Sequence, residues 1–171
     1  MKKVLLVIDM LKDFCVAGRV LASDVEGKTY GAGIIPFVVD KVKEFDHVIF
    51  ICDNHEPEDL EFKRFPIHCV AGTEGAELVE ELQPFKDKGP IVTKQRYSGF
   101  FNTALEEMIK EYDGFYVVGV CTNICVFYTV EELCNRDQKV FVYEEGVASF
   151  DPEAHKFALL QMKNVLGAEL I

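Results

Sequence analysis

The groups able to do chemistry in this chain stand where its apolar runs end. Val4 to Ile8 stops at Asp9, and Val48 to Ile51 leads into Asp53-Asn54-His55. Ile91 to Thr93 stops at Lys94, and Phe115 to Val120 runs into Cys121-Thr122-Asn123-Ile124-Cys125. Asp9, Lys94 and Cys125 brought together would make a covalent catalyst. The thiol supplies the nucleophile, and the carboxylate can take its proton and later deliver it to a departing amine. Thr122 or Asn123 can cap the helix predicted after the fourth run, which sets Cys125 in its first turn. Free N–H groups, the helix dipole and a nearby Lys94 would there favour a thiolate. Backbone N–H groups of the same turn could hold a developing oxyanion, a contact worth ~3 kcal/mol per donor. Plainer roles exist for each residue alone: cysteine is among the most buried residue types, Asp commonly closes a turn after a strand, and a lone Lys is mostly a surface residue.

A second constellation is Asp53, His55 and His68. One intervening residue puts Asp53 and His55 on one side of an extended segment, and His68 arrives from the far end of the following loop. Two imidazoles and a carboxylate, with open positions left over, suit one divalent metal ion: zinc first, with iron or manganese as alternatives. Glu61 is a candidate fourth or water-mediated ligand. Loops attract such residues for solvation and capping as well. Phe14, Phe65, Tyr97, Phe100 and Phe101 lie near the same positions and could wall a planar substrate, although at least two of the five should be structural.

Positioning these groups requires strands that share one rim. Ile34, Val38, Val42 and Phe45 recur at helical spacing between the first two runs, with Pro36 near the helix start. Phe101, Leu105, Met108 and Tyr112 mark a helix face after the third. A helix to about Asn135 follows the fourth, then a strand at 140–143, a helix at 153–164 and an edge strand at 168–171. Strands alternating with helices predict a single domain over 1–171, of class α/β: a three-layer α/β/α arrangement with a mainly parallel sheet. In such sheets ligands bind beyond the carboxyl ends of the strands, where all four terminating sets lie. The longest irregular stretch, from Asp53 to about Gly75, is of a length usually reserved for function.

Composition excludes other classes. Of 171 residues, 49% are apolar, which rules out a disordered chain. The formal net charge of −11 argues against a nucleic-acid partner and against an anionic membrane surface. No apolar stretch approaches ~18 residues, and the run after Met1-Lys2-Lys3 is too short for a secretory signal before it meets Asp9. A cytoplasmic protein with six free thiols is the expectation.

The chain resembles the isochorismatase-like cysteine hydrolases, and within them the nicotinamidase/pyrazinamidase branch. The matching segments are VLLVIDMLKDF (4–14), CDNH (52–55), EFKRFPIHCVAGTEG (61–75), KQRYSGFFNTAL (94–105), GVCTNICVFYTV (119–130) and GVASF (146–150), in family order over nearly the whole chain. The resemblance implies a triad of Asp9, Lys94 and Cys125, with Cys125 rather than Cys121 the nucleophile. It implies a cis peptide between Val120 and Cys121, an oxyanion hole from the N–H groups of Cys121 and Cys125, and ring contacts from Phe14 and Tyr97. It also implies a metal on Asp53, His55 and His68 that holds the ring nitrogen of nicotinamide. The implied function is hydrolysis of nicotinamide, and of pyrazinamide, to the acid and ammonia through a thioester, within NAD salvage and in a homo-oligomer. Alternatives are a hydrolase of another small amide, an N-carbamoyl compound or isochorismate, and a non-catalytic small-molecule binder with redox-sensing thiols. Asn123 stands where the family usually has Asp, and the loop between His55 and His68 is short.

Overall fold

A computed structural model describes residues 1–22, 24–25 and 28–171 of the chain. The elements that carry the fold are strands β1 (Lys3–Ile8), β2 (Asp24–Val25), β3 (Lys28–Thr29), β4 (Val48–Asp53), β5 (Ile91–Lys94), β6 (Gly114–Val120), β7 (Val140–Ala148) and β8 (Glu169–Leu170). Helices α1 (Lys12–Cys15), α2 (Tyr30–Glu44), α3 (Leu105–Ile109), α4 (Phe127–Asn135) and α5 (Pro152–Asn164) are interspersed. Six strands form one sheet in the order β5-β4-β1-β6-β7-β8, and every pairing within it is parallel. The two short strands β2 and β3 pair antiparallel apart from it.

Every residue of β4 and β6 is buried, which is why their sequences are unbroken apolar runs rather than alternating ones. Successive residues of β1 serve opposite faces. Leu5 and Val7 pack with Ile34, Val38 and Val42 of α2, whereas Val4, Leu6 and Ile8 pack with Val130 and Leu133 of α4 and Ala158 and Met162 of α5. The two-residue period of a strand thus divides one run between two cores and produces the three layers. Among the described residues, no helix is long and apolar enough to cross a membrane.

The β2/β3 pair has no counterpart in the sequence pattern, β7 runs on to Ala148 past the expected 140–143, and helices α3 and α2 also differ from the pattern. The helix face at Phe101, Leu105, Met108 and Tyr112 predicts a helix longer than α3. Asn102 takes a left-handed backbone, φ +53°, which no helix can pass through; the helix begins only at Leu105, and Phe101 stays exposed. Helix α2 starts at Tyr30, so Pro36 lies inside it instead of near its start.

Gly119 of β6 sits opposite Ile8 at φ +125°, where a Cβ would meet the Ile8 carbonyl oxygen at 2.0 Å. Only glycine allows the two central strands to approach this closely just before Cys121. Gly119→Ala should lower unfolding free energy by about 3 kcal/mol. A urea midpoint equal to that of the parent chain would refute this packing.

Candidate active site

The carboxyl ends of adjacent strands β5, β4 and β1, and of β6 beyond, deliver Lys94, Asp53, Asp9 and Cys121 to one rim. Asp9 leaves β1 with a left-handed backbone, φ +51°, a conformation Asp tolerates better than most residues. The Asp9 Oδ1 accepts the Asp53 N–H at 2.8 Å. The Lys94 ammonium lies between the two carboxylates: it donates to Asp53 Oδ1 and stands 2.8 Å from Asp9 Oδ2, a charge contact outside hydrogen-bond alignment. Its third neighbour is the Cys125 Sγ at 3.4 Å. All four residues are buried.

Burial sets the charges. Desolvation raises Asp9 to about 6, the charge on Asp53 adds to this, and Lys94 opposes it. Desolvation also works to raise Asp53, but Lys94 and the His55 contact hold it below the ordinary carboxylate range. Desolvation works to discharge Lys94, and the two carboxylates overcome it and keep the amine well above its usual value. Cys125 goes the opposite way from the thiolate that its place beside a helix suggests. Burial raises it well above the ordinary thiol range; the nearby Lys94 ammonium opposes this, and the Asp9 and Asp53 carboxylates add to the rise.

The turn that carries Cys125 is also different in detail. Residues Thr122–Val126 form a π-helical turn ahead of α4, and the Val120–Cys121 peptide is cis. Neither Thr122 nor Asn123 caps it. Thr122 Oγ1 instead meets His155 Nδ1 of α5 at 2.8 Å, and Asn123 Oδ1 accepts from Ser149 Oγ at 2.6 Å. Both side chains tie the turn sideways to the next strand and helix. Ser149 and His155 are therefore supporting residues that helix-start patterns do not reveal; the segment GVASF is the one sequence signal near them. The hydroxyl of Tyr30 meets the Cys121 sulfur at 3.5 Å, which gives this second thiol a partner of its own. All six cysteines are free.

Asp53, His55 and His68 also converge. One donor atom from each lies within 4.8 Å of the others. His55 Nε2 and His68 Nε2 stand 3.6 and 3.8 Å from Asp53 Oδ2, and Glu61 Oε1 is 3.9 Å from His68 Nε2. His68 Nδ1 donates to the Pro66 carbonyl at 2.7 Å, so its Nε2 lone pair is turned inward. His55 Nε2 and Glu61 Oε2 are buried without a hydrogen-bond partner. Orphaned buried donor atoms of this kind fit a divalent cation. Asp59 completes the cluster and was not evident from the sequence. Its carboxylate accepts from His55 Nδ1 at 3.0 Å, from the Glu61 N–H at 2.8 Å and from Arg96 at 2.9 Å. Desolvation opposes its ionisation, yet these donors hold it at about 2. Its only sequence signal is the capping pattern Asp59-Leu60-Glu61 at a short turn.

The loop that bears these ligands is fastened from below. Lys12 of α1 pairs with Glu77 at 2.9 Å, Glu80 at 2.6 Å and Glu74 at 3.4 Å, and Asp13 accepts the Cys69 N–H at 2.8 Å. The His55 N–H donates to the Cys69 carbonyl at 2.9 Å, which brings the two imidazole-bearing segments side by side.

A cavity of about 240 Å³ opens over the two clusters, lined by Phe14, Leu21, Tyr30, Asp53, Glu61, Phe65, His68, Tyr97, Cys121, Ile124, Cys125 and Phe150. Phe14 and Phe65 meet the His68 ring edge-on, with centroids 5.5 and 6.4 Å away. Phe100 packs in the core below α3 and Phe101 points outward, so neither walls the cavity.

The sequence matches the isochorismatase domain over residues 3–171. The chain belongs to the isochorismatase family. Among its relatives, a Bacillus subtilis (strain 168) protein named "Uncharacterized isochorismatase family protein PncA" is 32% identical over 99% of both chains. A crystal structure of nicotinamidase/pyrazinamidase PncA from Bacillus subtilis superposes with a TM-score of 0.87 at 31% identity, covering 99% of both chains. The pyrazinamidase of Pyrococcus horikoshii in complex with zinc gives 0.88 at 28% identity, covering 100% of this chain and 99% of that one. A "Probable inactive nicotinamidase" of Arabidopsis thaliana is 30% identical over 94% of this chain and 88% of its own. This chain is accordingly an isochorismatase-family hydrolase with nicotinamidases among its near relatives.

The buried ammonium makes a direct prediction. Lys94→Met should destabilise the fold by about 3–5 kcal/mol, because it leaves two buried carboxylates without their counter-charge. Denaturant unfolding that shows less than about 1 kcal/mol of loss would mean the carboxylates do not depend on it.

Proposed function

We propose that the chain is a cysteine amidohydrolase that converts nicotinamide, and pyrazinamide, to the corresponding acid and ammonia. The observation that carries this reading is the buried contact of one carboxylate, one ammonium and one thiol, whose Cys125 lines an aromatic-walled cavity together with Asp53 and His68 of the convergent metal-ligand set.

In this reading the neutral thiol of Cys125 is the resting nucleophile. As its sulfur attacks the amide carbon, its proton passes to the Asp9 carboxylate, whose raised affinity for protons suits it to the task. The carbonyl oxygen becomes an oxyanion facing the N–H groups of Cys121 and Cys125. Collapse breaks the carbon–nitrogen bond, the Asp9 proton goes to the departing nitrogen, and ammonia leaves behind a thioester. Water then attacks the thioester, giving its proton to Asp9. The carbon–sulfur bond breaks, the acid leaves, and Asp9 returns the proton to sulfur. Lys94 stays charged throughout and keeps the ionised forms of Asp9 and of the sulfur within reach.

Phe14, Phe65 and Tyr97 provide flat walls for a heteroaromatic ring. Among the described residues lining the cavity there is no Lys or Arg, which disfavours a dicarboxylate such as isochorismate. A divalent cation held by Asp53, His55 and His68, with Glu61 beside them, would supply a Lewis-acid anchor for a ring nitrogen.

Cys125→Ala should abolish ammonia release from nicotinamide, whereas Cys121→Ala should retain measurable turnover. Intact-mass detection of an acyl adduct on the first sulfur would add support, and equal loss in both variants would refute the choice of nucleophile. For the cation, His55→Ala should lose metal by elemental analysis of purified protein; metal content equal to that of the parent chain would exclude this ligand set.

A further inference from the structure

His55 offers two nitrogens, and only one can face a cation. Its Nε2 points toward Asp53 and His68, and its Nδ1 lies 3.0 Å from Asp59 Oδ2. The His55 side chain is fully buried, and that of Asp59 is 3% exposed. Arg96, only two residues beyond Lys94, clamps both oxygens of Asp59 at 2.9 and 3.1 Å. Asp59 Oδ1 also accepts the Glu61 N–H at 2.8 Å, at the start of the turn that carries this second candidate ligand.

We propose that Asp59 is the positioning residue of the cation site. Its carboxylate can only accept from His55 Nδ1, which places the imidazole proton there and leaves the Nε2 lone pair bare toward the site. Through its other oxygen the same group sets the backbone from which Glu61 reaches inward. Arg96 fixes the carboxylate in this orientation and connects it to the strand end that holds Lys94. This inference rests on the cation reading of Asp53, His55 and His68 given above, and it assigns Asp59 no contact with substrate.

Asp59→Asn is the discriminating substitution because it keeps the shape and changes one oxygen into a donor. Two donors, the Glu61 N–H and Arg96, face Oδ1, so the amide oxygen stays with them. The new NH₂ then faces His55 Nδ1 and demands a lone pair there, which moves the ring proton to Nε2. The experiment measures zinc affinity of the metal-free protein by competition with a chromophoric chelator. It also reads the His55 tautomer by imidazole ¹⁵N spectroscopy at mildly alkaline pH. The expected results are an Nε2 without a proton in the parent chain and zinc binding weakened about 10–100-fold in the variant. Zinc affinity in the variant within twofold of the parent overturns the proposal, and so does a parent imidazole protonated at Nε2. The parent spectrum decides the matter even where the variant does not fold. A parent chain that takes up no zinc overturns the cation reading and this inference together. Neither readout needs turnover, so hydrolysis of a different amide would leave the outcome unaffected.

Discussion

The site depends on one charge arrangement: a buried lysine ammonium enclosed between two buried carboxylates. Lys94 without Asp9 and Asp53 would be an isolated cation in a low-dielectric interior, and either carboxylate without Lys94 would resist ionisation. The three groups come from neighbouring strands β1, β4 and β5, so the spacing of a parallel sheet sets their separation. Parallel direction is essential, because it brings all three carboxyl ends to the same edge.

Lys94 also separates two chemistries that would otherwise interfere. On one side Asp9 faces the sulfur of Cys125 and has a raised affinity for protons. On the other, Asp53 is held ionised and faces two imidazoles. Two carboxylates of the same residue type, one of which accepts the backbone N–H of the other residue, are thereby given different protonation behaviour by their surroundings. The same burial that strengthens these pairs pushes the Cys125 thiol up, which is why the proposed reaction moves its proton together with the attack.

Around this centre the chain spends its irregular backbone on the ligand-bearing loop, and tethers hold that loop to regular elements. Lys12 collects three glutamates, the Lys12 N–H reaches the Glu77 carbonyl at 2.9 Å, and the Val79 N–H reaches that of Met10 at 3.0 Å. A loop fixed in this way can present His55, Glu61 and His68 at defined positions without being part of the sheet.

The order of strands and helices was legible because each apolar run is bounded by residues that stop it, and because burial on both faces removes polar residues from β4 and β6. The positions of Asp9, Asp53, Lys94 and Cys125 followed from the same stops, since a polar residue at the carboxyl end of a parallel strand has one rim to occupy. Tertiary structure alone decided the rest. Asp59 and Arg96 are 37 residues apart in sequence, and Asn123 and Ser149 are 26 apart, so no local spacing announces either pair. Whether Cys125 is charged was likewise beyond local pattern. A helix start and a nearby lysine argue for a thiolate, but the sign of the shift is set by how completely the fold excludes water and by how many carboxylates it brings within a few ångströms.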